Sequence, residues 1–309
     1  MTPLLLTNVE YVALRLVRRF LLPRSLHRLG RLLPYYKANV AETDPESVLR
    51  LYRSWLQRIG HSLQGKRVVE LGSGSTNAAG YALASDGAAQ VWCVEPYAAL
   101  DPELDKALLA RLVIAKGQAG AEIAAKVTRC ASLEEVGPGK ADLILSHSVL
   151  EHVQEFAVLC ETMRSVLARD GNMLHVVDYR DHFFKYPLHF LQFSTRTWQR
   201  FLDPGDLPRW RLGDHLRGLR GEGFVVKVIE RDIAKSDDVE LVRDSVSIDF
   251  DPSDADLWVL RAVLSCVPAG SLHPLSPDEG GAPSDPTPFG SEPGSVDLHL
   301  HLHQPASQP

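Results

Sequence analysis

The sequence is poor in cysteine, carries no excess of positive charge and has no long apolar run. Its four cysteines, Cys93, Cys130, Cys160 and Cys266, are widely spaced and form no CxxC pair. That pattern excludes a disulfide framework and a cysteine zinc site, and it points to a reducing compartment. Three of the four sit in apolar runs, where a free thiol behaves as a small hydrophobe. The formal net charge of −6 over 309 residues excludes a nucleic-acid binder on electrostatic grounds. No stretch approaches the eighteen or so uncharged apolar residues of a spanning helix. No small-residue cleavage site follows the leucines at 4–6, so no secretory leader is expected. These absences together predict a cytoplasmic chain. An apolar content of 45% still leaves enough for a sizeable core.

The charge that is present is unevenly spread. Arg15, Arg18, Arg19, Arg24, Arg28, Arg31 and Lys37 crowd the first forty residues against Glu10 alone. Within them Val9, Val12, Ala13, Leu16, Val17, Phe20 and Leu21 recur at the spacing of one helix face, with Arg15, Arg18 and Arg19 on the other side. Pro23 ends this helix, and a second short basic helix is expected over 24–33. Residues 1–45 therefore read as a basic amphipathic helical extension. Residues 8–33 either lie on an anionic membrane surface, at the inner face of a membrane, or pack on the core or a second subunit. From 269 to 309, Pro, Gly, Ser and Asp dominate, which reads as a disordered tail. His299, His301 and His303 alternate with leucine there; such a run can collect a transition metal, but in this tail chance is the simpler account.

Between these ends the pattern changes. A helix is expected over 45–63, with Asp44 as N-cap and Pro45 at its first position. Short apolar runs follow at 67–71 (RVVEL), 90–94 (QVWCV), 126–130 (KVTRC), 142–145 (DLIL), 173–177 (MLHVV) and 224–229 (FVVKVI). Helix-compatible segments at 78–85, 105–115, 153–168 and 213–221 lie between them. Residues 257–267 fit either a helix or a closing strand, with strand preferred. Strands alternating with helices predict an α/β fold: one doubly wound, mostly parallel seven-stranded, Rossmann-like sheet spanning 46–268. Residues 179–223 form an insertion rich in aromatics, His and Arg.

The run Glu70-Leu71-Gly72-Ser73-Gly74-Ser75-Thr76 joins the first strand to a helix. Glycines at such a turn let the chain bend sharply and let a ligand approach without a Cβ in the way. Glu95 ends the next strand, where a carboxylate can accept both hydroxyls of a ribose. A dinucleotide site wants G-x-G-x-x-G/A, and Asn77 fails its last position. The other class of site places an acid two residues before the first glycine, near the cationic amino-acid end of S-adenosylmethionine, and Glu70 fills it.

Glu70-x-Gly72-x-Gly74 resembles motif I of class I S-adenosylmethionine-dependent methyltransferases, and Glu95 resembles their second-strand acid. Residues 141–153 (ADLILSHSVLEHV) resemble the fourth-strand motif of the small-molecule branch, FDxVxSxxVLEHV. Asp170-Gly171-Asn172 matches the turn before the fifth strand, and 221–225 (GEGFV) the approach to the sixth. The resemblance covers about 46–267. It implies S-adenosylmethionine as cofactor, held by Glu70, Gly72, Ser73, Gly74 and Glu95, with Ser146 or His147 near the sulfonium. Two positions depart from it: Thr76 replaces the third glycine, and Ser132 stands in for the usual adenine-side Asp.

Methyl transfer from a sulfonium is an in-line displacement, so the protein mainly aligns donor and acceptor and excludes water. An oxygen or nitrogen acceptor can also need a base. The ionisable residues at the strand ends are His147, Glu151 and His152, then Asp178, Tyr179, Arg180, Asp181 and His182. His182 is the first choice for a base and His152 the second. Each also has a structural reading, His182 as a partner of Asp178 or Asp181 and His152 as a helix cap. Glu151 and His152 resemble two ligands of the metal site in ubiquinone-type O-methyltransferases, but Ser148 replaces the third. Two ligands are too few for a hard divalent cation, so no required metal is expected. In relatives the 179–223 insertion caps the acceptor site. Its Tyr186, His189, Phe190, Phe193, Trp198, Phe201, Trp210 and Arg211 suit a ring-bearing, sugar-like or anionic acceptor, or simply pack the cap. The reading is a methyltransferase on a small-molecule, glycan or lipid acceptor, with oxygen preferred. A non-catalytic S-adenosylmethionine-binding or protein-interaction module of the same fold is the alternative, and a nicotinamide dehydrogenase is disfavoured by Asn77.

Overall fold

Each expected apolar run forms a strand in the computed structural model, which describes residues 3–20, 44–203, 205 and 207–271. The basic helix expected at 24–33 and the tail beyond 271 lie outside those residues. The strands are β1 (Arg67–Leu71), β2 (Gln90–Val94), β3 (Val127–Cys130), β4 (Ala141–His147), β5 (Leu167–Asp178), β6 (Phe224–Ile233) and β7 (Val259–Pro268). They form one sheet in the order β3-β2-β1-β4-β5-β7-β6. The first five are parallel, and β7 runs antiparallel between β5 and β6. The strand reading of 257–267 holds, because those residues complete a ladder with two neighbours.

The pleat sorts the strand side chains to two faces. Val68, Leu143 and Leu145 pack on one side, and Val69, Leu71 and Ile144 on the other. Helices cover both. The helices are α1 (Pro3–Phe20), α2 (Pro45–Arg58), α3 (Ala78–Ser85), α4 (Pro102–Lys116), α5 (Gly120–Ala124), α6 (Phe156–Val166), α7 (Leu212–Gly221) and α8 (Ser236–Val242). Asp44 caps α2 as expected, its carboxylate accepting from the Ser47 N–H at 3.3 Å. That helix stops at Arg58, short of residue 63, where Gly60 takes a left-handed φ of 74°. The helices α5 and α8 have no sequence signal, because five and seven residues are too few to show a period.

The chain winds outward from β1 to β3, then returns to place β4 on the other side of β1. Where the order reverses, the loops after β1 and β4 diverge and leave a crevice at the carboxyl ends of the strands. The glycine run and Ser146–Ser148 lie there.

A third apolar cluster joins the insertion to α1 and α8, through Phe183, Phe184, Phe190, Trp198, Val242 and Tyr11. Here α1 docks through Tyr11 and Arg15, flanked by Val12, Leu14 and Val17, so the apolar stripe is split between the cap and the outside. Tyr11 and Arg15 are buried, while Leu6, Val9, Ala13 and Phe20 face out. The reason is Asp181, which accepts from the Tyr11 hydroxyl at 2.6 Å and from Arg15 at 2.9 Å. The Arg15 guanidinium also lies 4.4 Å from the Phe183 ring centre and 4.7 Å from that of Trp198, a cation–π setting. Burial pushes the Tyr11 hydroxyl well above its ordinary pKa, so it stays a donor.

Both partners of the Arg15–Asp181 pair are essentially without solvent exposure. Removing one charge strands the other in the interior, at a cost of about 3–5 kcal/mol. The exposed Glu10–Lys185 pair contributes no more than about 1 kcal/mol. In urea unfolding, Arg15→Ala is therefore expected to lower stability by about 3–5 kcal/mol, and Glu10→Ala to leave it nearly unchanged.

Candidate active site

The glycine loop is held from three sides. Gly72 and Gly74 have φ of 76° and 64°, a region that disfavours side chains. A Cβ on Gly72 would lie 2.5 Å from Val149 Cγ2, so the loop packs directly on the turn after β4. Glu95 is buried and accepts from the Gly74 N–H at 2.8 Å and from Tyr97 and Ala98 N–H at 2.9 Å each. A carboxylate has about four lone-pair sites, so one stays available to a ligand hydroxyl. Arg129 donates to the Gly74 carbonyl at 2.7 Å, the Ala98 carbonyl at 2.8 Å and Asn77 Oδ1 at 3.2 Å. Asp105 accepts from the Asn77 N–H at 2.6 Å and the Tyr81 hydroxyl at 2.7 Å. Arg129 and Asp105 carry no motif signal; their roles come from contacts across 24 to 55 positions of chain.

Glu70 and Ser73 are buried beneath the loop beside Cys93. Burial, with the Glu70 charge adding to it, pushes the Cys93 thiol well above its ordinary pKa. The missing third glycine of the loop is compensated further on. A Cβ on Gly80 would lie 2.3 Å from Cys93 Sγ, so Gly80 lets α3 approach the sheet closely. Ser132 forms a capping box with Glu135 at the 3₁₀ turn Leu133–Val136.

Ser146 is fully buried, and its hydroxyl lies 2.8 Å from His175 Nδ1. Burial lowers His175 to about 3, and the His215 charge works the same way, so the ring is neutral. His147 is lowered to about 4 by burial, helped by Arg261 and opposed by Asp178. Ser148 follows with φ 54°, a left-handed non-glycine of the kind found at ligand sites.

Beyond it the 3₁₀ turn Leu150–His152 carries Glu151 and His152. The loop after β5 brings His182 to them. Glu151 Oε1 and His182 Nε2 are 3.9 Å apart, and the His152 and His182 ring centres 5.3 Å. One ligating atom from each of the three lies within 4.8 Å of the others. Glu151 is 1% exposed, and neither carboxylate oxygen makes a well-formed hydrogen bond. Burial raises its pKa to about 8; the His182 charge and the Glu151 and Asp178 N–H groups offset only part of that.

The other acids of the loop have cations of their own. Asp178 is forked by Arg180, with contacts of 2.9 and 3.0 Å from Nε. Burial would raise its carboxyl, but Arg180 and His182 hold it below its ordinary value. Asp181 belongs to α1. Most cap residues expected at the acceptor turn out to brace the cap. Trp210 Nε1 donates to the Val153 carbonyl at 2.8 Å, and Arg211 donates at 2.6 Å to the carbonyls of Tyr179, Leu257 and Val259. Trp198 Nε1 donates to the Leu207 carbonyl at 3.0 Å. Tyr179 and His215 join at 2.9 Å, and His215 Nε2 lies 3.3 Å from the Leu150 carbonyl, which ties the β5 end to the Glu151 turn.

A family model described as a methyltransferase domain matches residues 45–233. The chain belongs to this family. Its motif I, second-strand acid and sheet order make it a class I, S-adenosylmethionine-dependent methyltransferase. A search of curated sequences finds no match. Among solved structures, an S-adenosylmethionine-dependent methyltransferase from Mesorhizobium loti is 17% identical and covers 69% of this chain and 95% of its own, with a TM-score of 0.39. A phosphoethanolamine N-methyltransferase from Haemonchus contortus is 16% identical and covers 71% and 52%, at 0.44. An arsenic(III) methyltransferase from Chlamydomonas reinhardtii is 17% identical and covers 66% and 62%, at 0.40. The methyltransferase thus has its glycine loop and its polar cluster on adjacent turns, joined by the contact of Gly72 with Val149.

Proposed function

We propose that the methyltransferase moves a methyl group from S-adenosylmethionine to a hydroxyl oxygen of a small-molecule, sugar or lipid acceptor. Glu95 accepts from a ribose hydroxyl through its remaining lone-pair site. Gly72, Ser73 and Gly74 receive the amino-acid end, with Glu70 near its cationic group. Ser146 and His147 line the sulfonium side, and Ser132 lies toward the adenine.

One observation supports oxygen as the acceptor atom. The Glu151 carboxylate is buried without a well-formed hydrogen bond, next to His152 and His182. Leaving such a group unsatisfied costs about 1–3 kcal/mol or more, and an acceptor hydroxyl supplies the missing donor. A neutral amine attacks with its own lone pair. A hydroxyl must lose its proton as the new bond forms, and the cluster containing both expected bases is where that proton leaves. The sulfonium methyl passes to oxygen, S-adenosylhomocysteine departs, and one proton is released.

The outward stripe of α1 supports a second element, contact with an anionic membrane surface at its cytoplasmic face. Leu6, Val9 and Phe20 are 56%, 60% and 67% exposed, and basic residues follow in sequence at Arg24, Arg28, Arg31 and Lys37. No helix among the described residues is long and apolar enough to cross a membrane.

Three measurements test these readings. By calorimetry, Glu95→Gln is expected to weaken S-adenosylhomocysteine about 10- to 100-fold, since hydrogen bonds to a charged group contribute about 1.5–3 kcal/mol. In a methyl-transfer screen over glycans, lipids, phenols and amines, only hydroxyl acceptors are expected to react. There His182→Ala should lower kcat by about 10²–10⁴ while S-adenosylhomocysteine affinity is kept. Methylated amines together with an unaffected His182 variant would refute the oxygen reading. Vesicles containing phosphatidylglycerol should sediment the full chain, neutral vesicles should not, and replacing Leu6, Val9 and Phe20 by Ser should abolish the difference. Equal, negligible sedimentation in both would remove the membrane reading.

A further inference from the structure

We propose that Glu151, His152 and His182 form a binding site for a divalent first-row transition-metal ion. The inference rests on the acceptor site described above and states how that site handles a hydroxyl, but it is read out by metal content rather than by turnover. Sequence spacing offers two adjacent ligands, with Ser148 where a third would be expected. The fold brings the third from the loop after the neighbouring strand β5, thirty positions along the chain from His152.

Geometry comes first. Ligating atoms of the three residues lie within 4.8 Å of one another, and the Glu151–His182 approach is already 3.9 Å. Metal–nitrogen and metal–oxygen bonds of about 2.0–2.2 Å bring tetrahedral ligands to about 3.3–3.6 Å of each other. Side-chain rotation of about an ångström closes the difference.

A second, independent observation is the state of Glu151. It is 1% exposed, with both oxygens buried and neither well hydrogen-bonded. A buried carboxylate in that condition is costly, and such groups are normally paired or coordinate a metal. Asp181 is paired with Arg15 and Asp178 with Arg180, so the neighbouring acids do not share this condition.

The donor set selects the class of ion. Magnesium and calcium want several oxygen ligands, and this site offers one carboxylate. Two imidazoles and a carboxylate suit zinc, iron, cobalt, nickel or manganese, and three protein ligands leave at least one position open. An acceptor hydroxyl in that position would be made more acidic by the ion. His152 and His182 would then serve as ligands and not as bases, the ion would lower the pKa of the hydroxyl, and the proton lost would pass to solvent water.

The test uses the full chain, stripped with chelator and then exposed separately to Zn²⁺, Co²⁺, Mn²⁺ and Mg²⁺. After desalting, plasma mass spectrometry is expected to find about one Zn²⁺ or Co²⁺ per chain and no Mg²⁺. Bound Co²⁺ should give visible absorption of a low-coordinate site. Glu151→Gln, which keeps the side-chain shape, and His182→Ala should each lower the affinity for Zn²⁺ more than about 10-fold. Retained S-adenosylhomocysteine binding verifies that these variants are folded. Because His299, His301 and His303 offer a competing site, their triple Ala variant is measured in parallel and should keep its ion. The proposal is overturned if the chain retains no ion, if the Glu151 and His182 variants bind as the parent does, or if only the triple variant loses the metal. Metal binding without any methyl transfer to hydroxyls would leave this site standing and remove the acceptor reading instead.

Discussion

The contact between Gly72 and Val149 is the constraint on which the site depends. A side chain at 72 would collide with Val149, so the donor loop and the turn after β4 pack as one piece. Val149 immediately precedes the turn that carries Glu151 and His152. The spacing of the glycine loop and the polar cluster is therefore set by the Gly72 backbone packing against the short, β-branched Val149 side chain. An in-line transfer requires reacting atoms about 3–3.5 Å apart and aligned, and under the proposed function a close packing of these two turns would serve that alignment. Glu95 and Arg129 complete the arrangement by tying the loop, through two hydrogen bonds at Gly74, to the turn after β2, which they hold through three more at Tyr97 and Ala98.

Charge burial follows a consistent rule around this unit. Arg211 is fully enclosed, and burial lowers it to about 10, but three carbonyls take its protons. Arg209 sits between the Phe190 and Phe193 carbonyls at 3.0 and 2.6 Å. Asp178 and Asp181 each have an arginine. Glu151 departs from the rule, and it does so in the crevice where the strand order reverses. Glu151 differs from these groups in that both of its carboxyl oxygens are buried without a well-formed hydrogen bond, which calls for a physical explanation.

The parts of this arrangement that the sequence reveals are those with short range. The strands β1 and β2 begin and end where the apolar runs do, because a buried parallel strand is a continuous apolar segment. Glu70, Gly72, Gly74 and Glu95 are legible for the same reason: their spacing is the signal. Arg129 is not, since it falls in the apolar run of β3 and acts on carbonyls 31 and 55 positions away. Glu151 and His182 are each visible, but their meeting is not, because it depends on β4 and β5 being neighbours. The docking of α1 through Tyr11 and Arg15 is not legible for a related reason. Helical periodicity locates an apolar stripe, but it cannot reveal that the partner surface holds a buried carboxylate.

That docking changes how the N-terminal extension relates to the methyltransferase domain. The family match begins at residue 45, and a reading by family alone would treat α1 as an appendage. Yet Asp181 receives both Tyr11 and Arg15, and Asp181 directly precedes His182. It also accepts from the Phe183 N–H at 3.0 Å, so the loop that presents His182 is folded around a carboxylate that α1 neutralises. Without α1, Asp181 would have neither its cation nor its hydroxyl donor, and the loop would have to rearrange to hydrate it. The helix is thus part of the wall that places His182, while its outer stripe stays available to a surface. Any contact made by Leu6, Val9 and Phe20 is joined to the polar cluster by a single helix and one buried ion pair.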